Sequence, residues 1–184
     1  MPRVLIPLAE GFEELEAVTI IDLLRRADIE VVSAGLEPGP VTGSRRTVLV
    51  PDSSLDAVIA TAFDMVVLPG GLTGAANLEG DPRVRALLRR QDSEGRFTAA
   101  ICAAPQVLAS AGLLDGRSAT AYPGTLKIKD FPRVNLIEDP VVIDGRVVTS
   151  RGPGTAMDFA LQLIELLAGR ERRDAVESQL LRPS

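Results

Sequence analysis

The sequence predicts a single α/β sandwich, in which a mostly parallel sheet carries helices on both faces and a nucleophile elbow at one strand end. Three observations carry this. Short apolar runs alternate with amphipathic, helix-length stretches, the pattern of βαβ units. No repeat, low-complexity tract or linker divides residues 1–184, a length that one domain spans. At Cys102 an apolar run passes straight into a helical pattern, with small Ala100 and Ala104 two residues to either side, as a sharp strand-to-helix turn needs.

The elements follow in order. Arg3–Leu8 reads as a first strand and Glu13–Ala27 as a helix, with Asp28 leading into a second strand, Glu30–Ala34. Val48–Val50 is a short strand closed by Pro51, and Ser53 opens a short helix through Ile59. Asp64–Leu68 is a strand that ends in Pro69-Gly70-Gly71, and Pro82–Gln91 is a helix with a polar face. Phe97–Ile101 is a strand feeding a helix over Ala103–Ala111, with Pro105 near its start. Val141–Ile143 and Val147–Thr149 flank Asp144-Gly145, a two-residue hairpin signal. Thr155 and Asp158 resemble a capping box for a helix to Leu167, Gly169 stops it, and Asp174–Leu181 adds a final short helix.

Composition narrows the function classes. The chain is 46% apolar but 3% aromatic, so Val, Leu, Ile and Ala must fill the core. A net charge of −5 opposes non-specific nucleic-acid binding. A single cysteine cannot make an internal disulfide, which fits a reducing, cytoplasmic setting. The apolar start Val4–Ala9 is short, contains Pro7 and runs into Glu10, Glu13, Glu14 and Glu16, so neither a signal peptide nor a membrane span is expected. With no histidine and one cysteine, no metal site or cofactor is expected.

The absence of histidine also excludes a Cys-His or Ser-His-Asp site within this chain. Whatever activates Cys102 must be a helix terminus, backbone N–H groups or a carboxyl. Such a setting lowers a thiol to a pKa of about 5–6, against roughly 8.5 when free. The other reading is a small buried core thiol, and the flanking pattern leaves both open. Gly70-Gly71 lets backbone amides approach a ligand closely or merely forms a tight strand exit. Glu16 shares an apolar stripe with Ile20, Leu23 and Ala27, where a carboxyl is paired or held protonated. Glu13 aligns with Ala17, Ile20 and Leu24, so periodicity does not choose between them, while Glu14 looks peripheral.

Taken together, Gly11-Phe-Glu-Glu-Leu-Glu16, Arg25-Arg26-Ala27, Pro51-Asp52, Val66-Val-Leu-Pro-Gly-Gly71, Ala100-Ile-Cys-Ala-Ala-Pro105 and Thr149-Ser-Arg-Gly-Pro-Gly-Thr155 resemble the ThiJ/PfpI superfamily. Within it they are most similar to the branch of the Parkinson's-linked deglycase and bacterial YajL. The resemblance runs nearly end to end. It implies a flavodoxin-like three-layer sandwich and a homodimer. It implies a reactive Cys102 with a protonated Glu16 donating to its sulfur, and an oxyanion pocket of amides around Gly70, Gly71 and Ala103. By the same resemblance Arg45 approaches the partner's site, and Arg26, Arg151 and Pro153 lie near the dimer or pocket rim. Protease-like members carry histidine where this chain has Ala103, which argues against a protease. The Parkinson's-linked member has histidine where this chain has Tyr122, whose phenol either bonds a ligand or packs.

Two functions follow as expectations. One is a cysteine-dependent deglycase or glutathione-independent glyoxalase for methylglyoxal, glyoxal or their protein and nucleotide adducts. The other is a non-enzymatic oxidative-stress sensor or chaperone, whose cysteine oxidises to sulfenic and sulfinic acid.

Overall fold

A computed structural model describes residues 1–182. The sheet expected from the alternation is present with seven strands. In chain order the elements are β1 (Arg3–Leu8), α1 (Glu14–Arg26), β2 (Glu30–Gly35), β3 (Val41–Thr42), β4 (Val48–Leu49), β5 (Ser53–Ser54) and α2 (Leu55–Val58). Then come β6 (Met65–Leu68), α3 (Leu72–Gly80), α4 (Pro82–Ser93), β7 (Phe97–Ile101), α5 (Pro105–Ser110), β8 (Ser118–Ala119) and β9 (Asn135–Leu136). The chain closes with β10 (Val141–Asp144), β11 (Val147–Ser150), a 3₁₀ turn over Pro153–Thr155, α6 (Ala156–Ala168) and α7 (Arg170–Gln179). The sheet order is β10-β11-β7-β6-β1-β2-β5, parallel throughout except for β10 at one edge.

Strand alternation divides the core into two layers. Val4, Ile6, Leu8, Met65, Val67, Ala99 and Ile101 face one side, where α1 and α6 bury Ile20, Leu24, Phe159 and Ile164. Leu5, Val66, Leu68 and Ala100 face the other, under Leu78 of α3, Leu87 of α4 and Leu108 of α5. Both faces of the parallel strands are therefore dry, which is why they read as continuous apolar runs. Among the described residues no helix is long and apolar enough to cross a membrane.

Several local expectations need correction. Helix α3 was not legible because Gly74 and Gly80 lower its propensity. Val48–Leu49 does not join the main sheet but pairs with β3 in a separate two-stranded ribbon. Ser53–Ser54 extends the sheet edge before α2 begins. Thr155 is the N-cap residue of α6 as expected but makes no side-chain capping bond, because its Oγ1 accepts from Gly152 N and bonds Ser150 Oγ, while Asp158 pairs with Arg182. Gly169, at φ 86°, breaks the chain between α6 and α7, which starts at Arg170 rather than Asp174.

Candidate active site

The thiol sits in a turn that ordinary side chains avoid. Cys102 lies between β7 and α5 with φ 65°, in the left-handed region, which costs a non-glycine residue about 1–2 kcal/mol. The surrounding backbone holds it there. Cys102 N donates to Ser150 O of β11 at 3.0 Å, and Cys102 O accepts from Tyr122 N at 2.8 Å and Thr125 Oγ1 at 3.3 Å. The residue is 9% exposed, so the sulfur stands at the edge of the core rather than deep within it. Helix α5 starts only at Pro105 and spans six residues. The groups that favour the Cys102 thiolate are instead the backbone amides of Gly71 and Ala103.

The carboxyl at this thiol is Glu16, which is fully buried on α1 and stands beside Cys102 across Gly70. Its Oε2 accepts from Gly70 N at 2.8 Å, and its buried Oε1 has no hydrogen-bond partner among the described residues. Glycine is required at 70 by close approach, since a Cβ there would stand 2.6 Å from both Cys102 Cβ and Glu16 Oε2. Gly71 has φ 89°, and a Cβ on it would meet Gly11 O at 2.3 Å. The Gly70 amide is spent on Glu16, so Gly70 supplies space and carboxyl anchoring. The donors facing the sulfur reduce to Gly71 and Ala103.

Burial pushes the Glu16 carboxyl up to about 7, although the Gly70 amide and the neighbouring thiol favour its charged form. Burial and the neighbouring Glu16 charge push the Cys102 thiol up to about 12, against the pull of the Gly71 and Ala103 amides. The thiol is thus raised where the sequence led us to expect a helix terminus and Glu16 to lower it. The two buried groups compete for one negative charge, and they lose their first proton as a pair.

The remaining predicted residues divide. Tyr122 is half-exposed and lines an open cavity with Pro123, Arg151 and Pro153 beside the elbow. Arg151 Nη1 donates to Glu138 O at 2.9 Å. Arg26 pairs with Asp22 at 2.8 Å, ten residues and about 15 Å along α1 from Glu16. Arg45 lies in the β3–β4 turn. Glu14, which had looked peripheral, clamps that turn by accepting from Arg45 N at 2.6 Å, Thr47 N at 3.2 Å and Ser44 Oγ at 3.0 Å. Those backbone donors hold its carboxyl below the usual range despite desolvation. Gly43 leaves the room, because a Cβ there would fall 2.4 Å from the Glu14 carboxyl. The only sequence signal for this clamp is the glycine next to Ser44 and an acidic run thirty residues away.

Residues 2–166 match the model of the DJ-1/PfpI family. The chain belongs to the DJ-1/PfpI family. It is 44% identical over 185 residues to Arabidopsis thaliana protein DJ-1 homolog A, covering 98% of this chain and 47% of that protein. This chain therefore spans about half the length of that relative. It is 36% identical over 167 residues to the Caenorhabditis elegans glutathione-independent glyoxalase DJR-1.2, covering 91% of this chain and 89% of that one. The crystal structure of Drosophila melanogaster DJ-1beta superposes with a TM-score of 0.94 at 45% identity, covering 100% of this chain and 99% of that one. The flavodoxin-like α/β sandwich is thus the DJ-1/PfpI fold, with Cys102 at its elbow.

Proposed function

We propose that this chain is a cysteine-dependent enzyme for α-oxoaldehydes such as methylglyoxal and glyoxal, or for their early adducts with amines. The observation that carries the reading is the fully buried Glu16 carboxyl set beside the elbow thiol, so close that one Cβ on Gly70 would lie 2.6 Å from both Glu16 Oε2 and Cys102 Cβ. In the proposed reaction Cys102 Sγ adds to the aldehyde carbon of methylglyoxal, and the proton of the pair passes to the carbonyl oxygen, giving a hemithioacetal. The Gly71 and Ala103 amides stabilise the oxyanion as it develops. Glu16, now a carboxylate, removes the proton on C1 and returns it to C2 through an enediol. C1 is oxidised and C2 reduced, so no external electron acceptor is needed. Water then cleaves the lactoyl thioester to lactate and free thiol. The glyoxalase name of the nematode relative agrees with this chemistry.

Wild-type protein is expected to convert methylglyoxal to lactate without glutathione, and Cys102→Ser is expected to lose that turnover. Equal rates in the two proteins, or none in the wild type, sink the reading. Peroxide-driven sulfinate formation with no turnover would favour the sensor instead.

We further propose a homodimer that closes over α1 and the β3–β4 ribbon. Leu15 and Val18 on α1, and Val48 and Val50 on and after β4, are all about half or more exposed. Val18 and Val50 line one groove of about 250 Å³, and Arg45 sits on the same ribbon. A second copy burying this face would remove apolar surface from water and carry its Arg45 towards the neighbouring site. Sedimentation at micromolar concentration should give twice the 19.5 kDa chain mass, falling towards one chain in Val50→Asp. A wild-type monomer contradicts the interface.

A further inference from the structure

Glu79 is an acid placed against two helix dipoles. It is the penultimate residue of α3, and the two side chains that reach it, Gln106 and Ser110, belong to α5, of which Ser110 is the last residue. Gln106 Nε2 donates to Glu79 Oε1 at 3.3 Å, and Ser110 Oγ donates to the same oxygen. Negative charge is unfavourable at a helix C-terminus, and no lysine or arginine pairs with this carboxylate among the described residues. Arg85 Nη2 bonds the Glu79 backbone carbonyl instead, at 3.4 Å. Helix stability therefore does not account for an acid here. What it supplies is the pair of bonds between the two helices.

Those bonds act on a helix that needs them. α5 spans six residues and its N-cap Ala104 makes no side-chain capping bond, and a helix so short does not hold itself in water. It packs on α3, whose buried residues are Gly74, Ala75 and Leu78. Apolar contact is non-directional and leaves the register of two helices loose. Two bonds to one oxygen, from side chains four residues apart on one helix face, fix it. The N-terminal ends of the same two helices carry the site. Gly71 is the N-cap of α3, Ala103 directly precedes the N-cap of α5, and their amides are the ones that favour the Cys102 thiolate. Gln106 N also donates to Ala103 O at 3.3 Å, so the residue that Glu79 holds is bonded to the turn behind the sulfur.

We propose that Glu79 is a positioning residue for the thiol: by pinning α5 to α3 through Gln106 and Ser110, it sets how the Ala103 and Gly71 amides approach Cys102. Glu79 lies eight residues, about 12 Å, along α3 from Gly71. It acts on the sulfur only through the two helices and touches no reacting atom. Its effect on turnover rests on the oxoaldehyde reading above, whereas its effect on the thiol does not.

Two readouts are taken on variants that circular dichroism shows to be folded: alkylation of Cys102 by iodoacetamide across pH, and steady-state turnover of methylglyoxal. Glu79→Leu, which removes the acceptor, should move the alkylation limb up by about one pH unit, a tenfold change in proton affinity. It should also lower kcat about tenfold while KM holds, the pattern of an interaction made in the transition state. Glu79→Gln keeps an oxygen for both donors and should restore both readouts. Ser110→Ala removes one donor, should shift both readouts in the same direction by less, and should add nothing to Glu79→Leu. A wild-type limb in Glu79→Leu overturns the proposal, because a loss of stability alone does not move the titration of a folded thiol. So does an equal shift in Glu79→Gln, which would assign the effect to the charge. If Glu79→Leu does not fold, an unshifted limb in Ser110→Ala overturns the proposal. If the limb shifts as expected while even the wild type leaves methylglyoxal unchanged, the oxoaldehyde reading fails and the positioning role stands.

Discussion

Glu16→Gln is expected to lower methylglyoxal turnover about 10²–10⁴-fold, the range of a lost general acid–base, in a protein that still folds. Glutamine matches the carboxyl in size and keeps an acceptor for Gly70 N, but it has no proton to move between C1 and C2. Glu16→Leu removes the acceptor as well and leaves the buried Gly70 amide unpaired, a further cost of about 1–3 kcal/mol in stability. Glu13→Gln serves as the register control, since Glu13 accepts from Ser44 Oγ on the β3–β4 turn and should cost less than tenfold. Loss in Glu13→Gln rather than Glu16→Gln would place the proton transfer on the wrong carboxyl.

The second large effect is expected at a residue with no side chain. Gly70→Ala drives a methyl to 2.6 Å from Cys102 Cβ and Glu16 Oε2, and to 2.9 Å from Ile101 O. Two of these three neighbours are catalytic in this account and the third is strand backbone, so relief requires moving the reacting pair. Turnover should fall at least as far as in Glu16→Gln, with an overpacking cost of about 1–3 kcal/mol in urea unfolding. Gly80→Ala, where a Cβ meets nothing within 4 Å, should turn over like wild type and unfold no more easily than it. Full activity in Gly70→Ala would mean that the close packing of turn, carboxyl and thiol is not needed for the reaction.

The fold was legible where periodicity and punctuation agree. β1, β2, β6 and β7 are apolar because the sheet is covered on both faces, and α1, α4 and α6 show one apolar stripe each, so local pattern reports tertiary burial directly. The β10–β11 hairpin is carried by Gly145 at φ 61°, a local requirement visible as Asp144-Gly145. The site was legible in part. Cys102 and Glu16 stood out because each breaks its own pattern, a thiol at an elbow and a carboxyl on an apolar stripe. Their energetics were not legible, because the direction of the thiol shift depends on where an acid from α1 sits relative to β7. Gly70 shows the same limit, since only the meeting of β6, β7 and α1 turns its amide towards Glu16 instead of the pocket. The Glu14 clamp and the Tyr122 cavity depend on contacts between segments roughly thirty residues apart, which no window on the chain contains.

The central claim is that Glu16 and Cys102 share one proton, and alkylation of the thiol across pH measures it. Burial raises the Glu16 carboxyl to about 7 and the Glu16 charge raises the thiol. Below that pH the pair holds both protons and the sulfur is unreactive. Above it one proton remains between the two groups, and thiolate character grows. Wild-type protein is therefore predicted to react with iodoacetamide along a limb with a midpoint near 7. In Glu16→Gln that limb disappears and a single step remains at higher pH, because a buried thiol without a partner acid resists ionisation. Coincident profiles in the two proteins, with the midpoint of a free cysteine, would show that Cys102 titrates alone and would contradict the account.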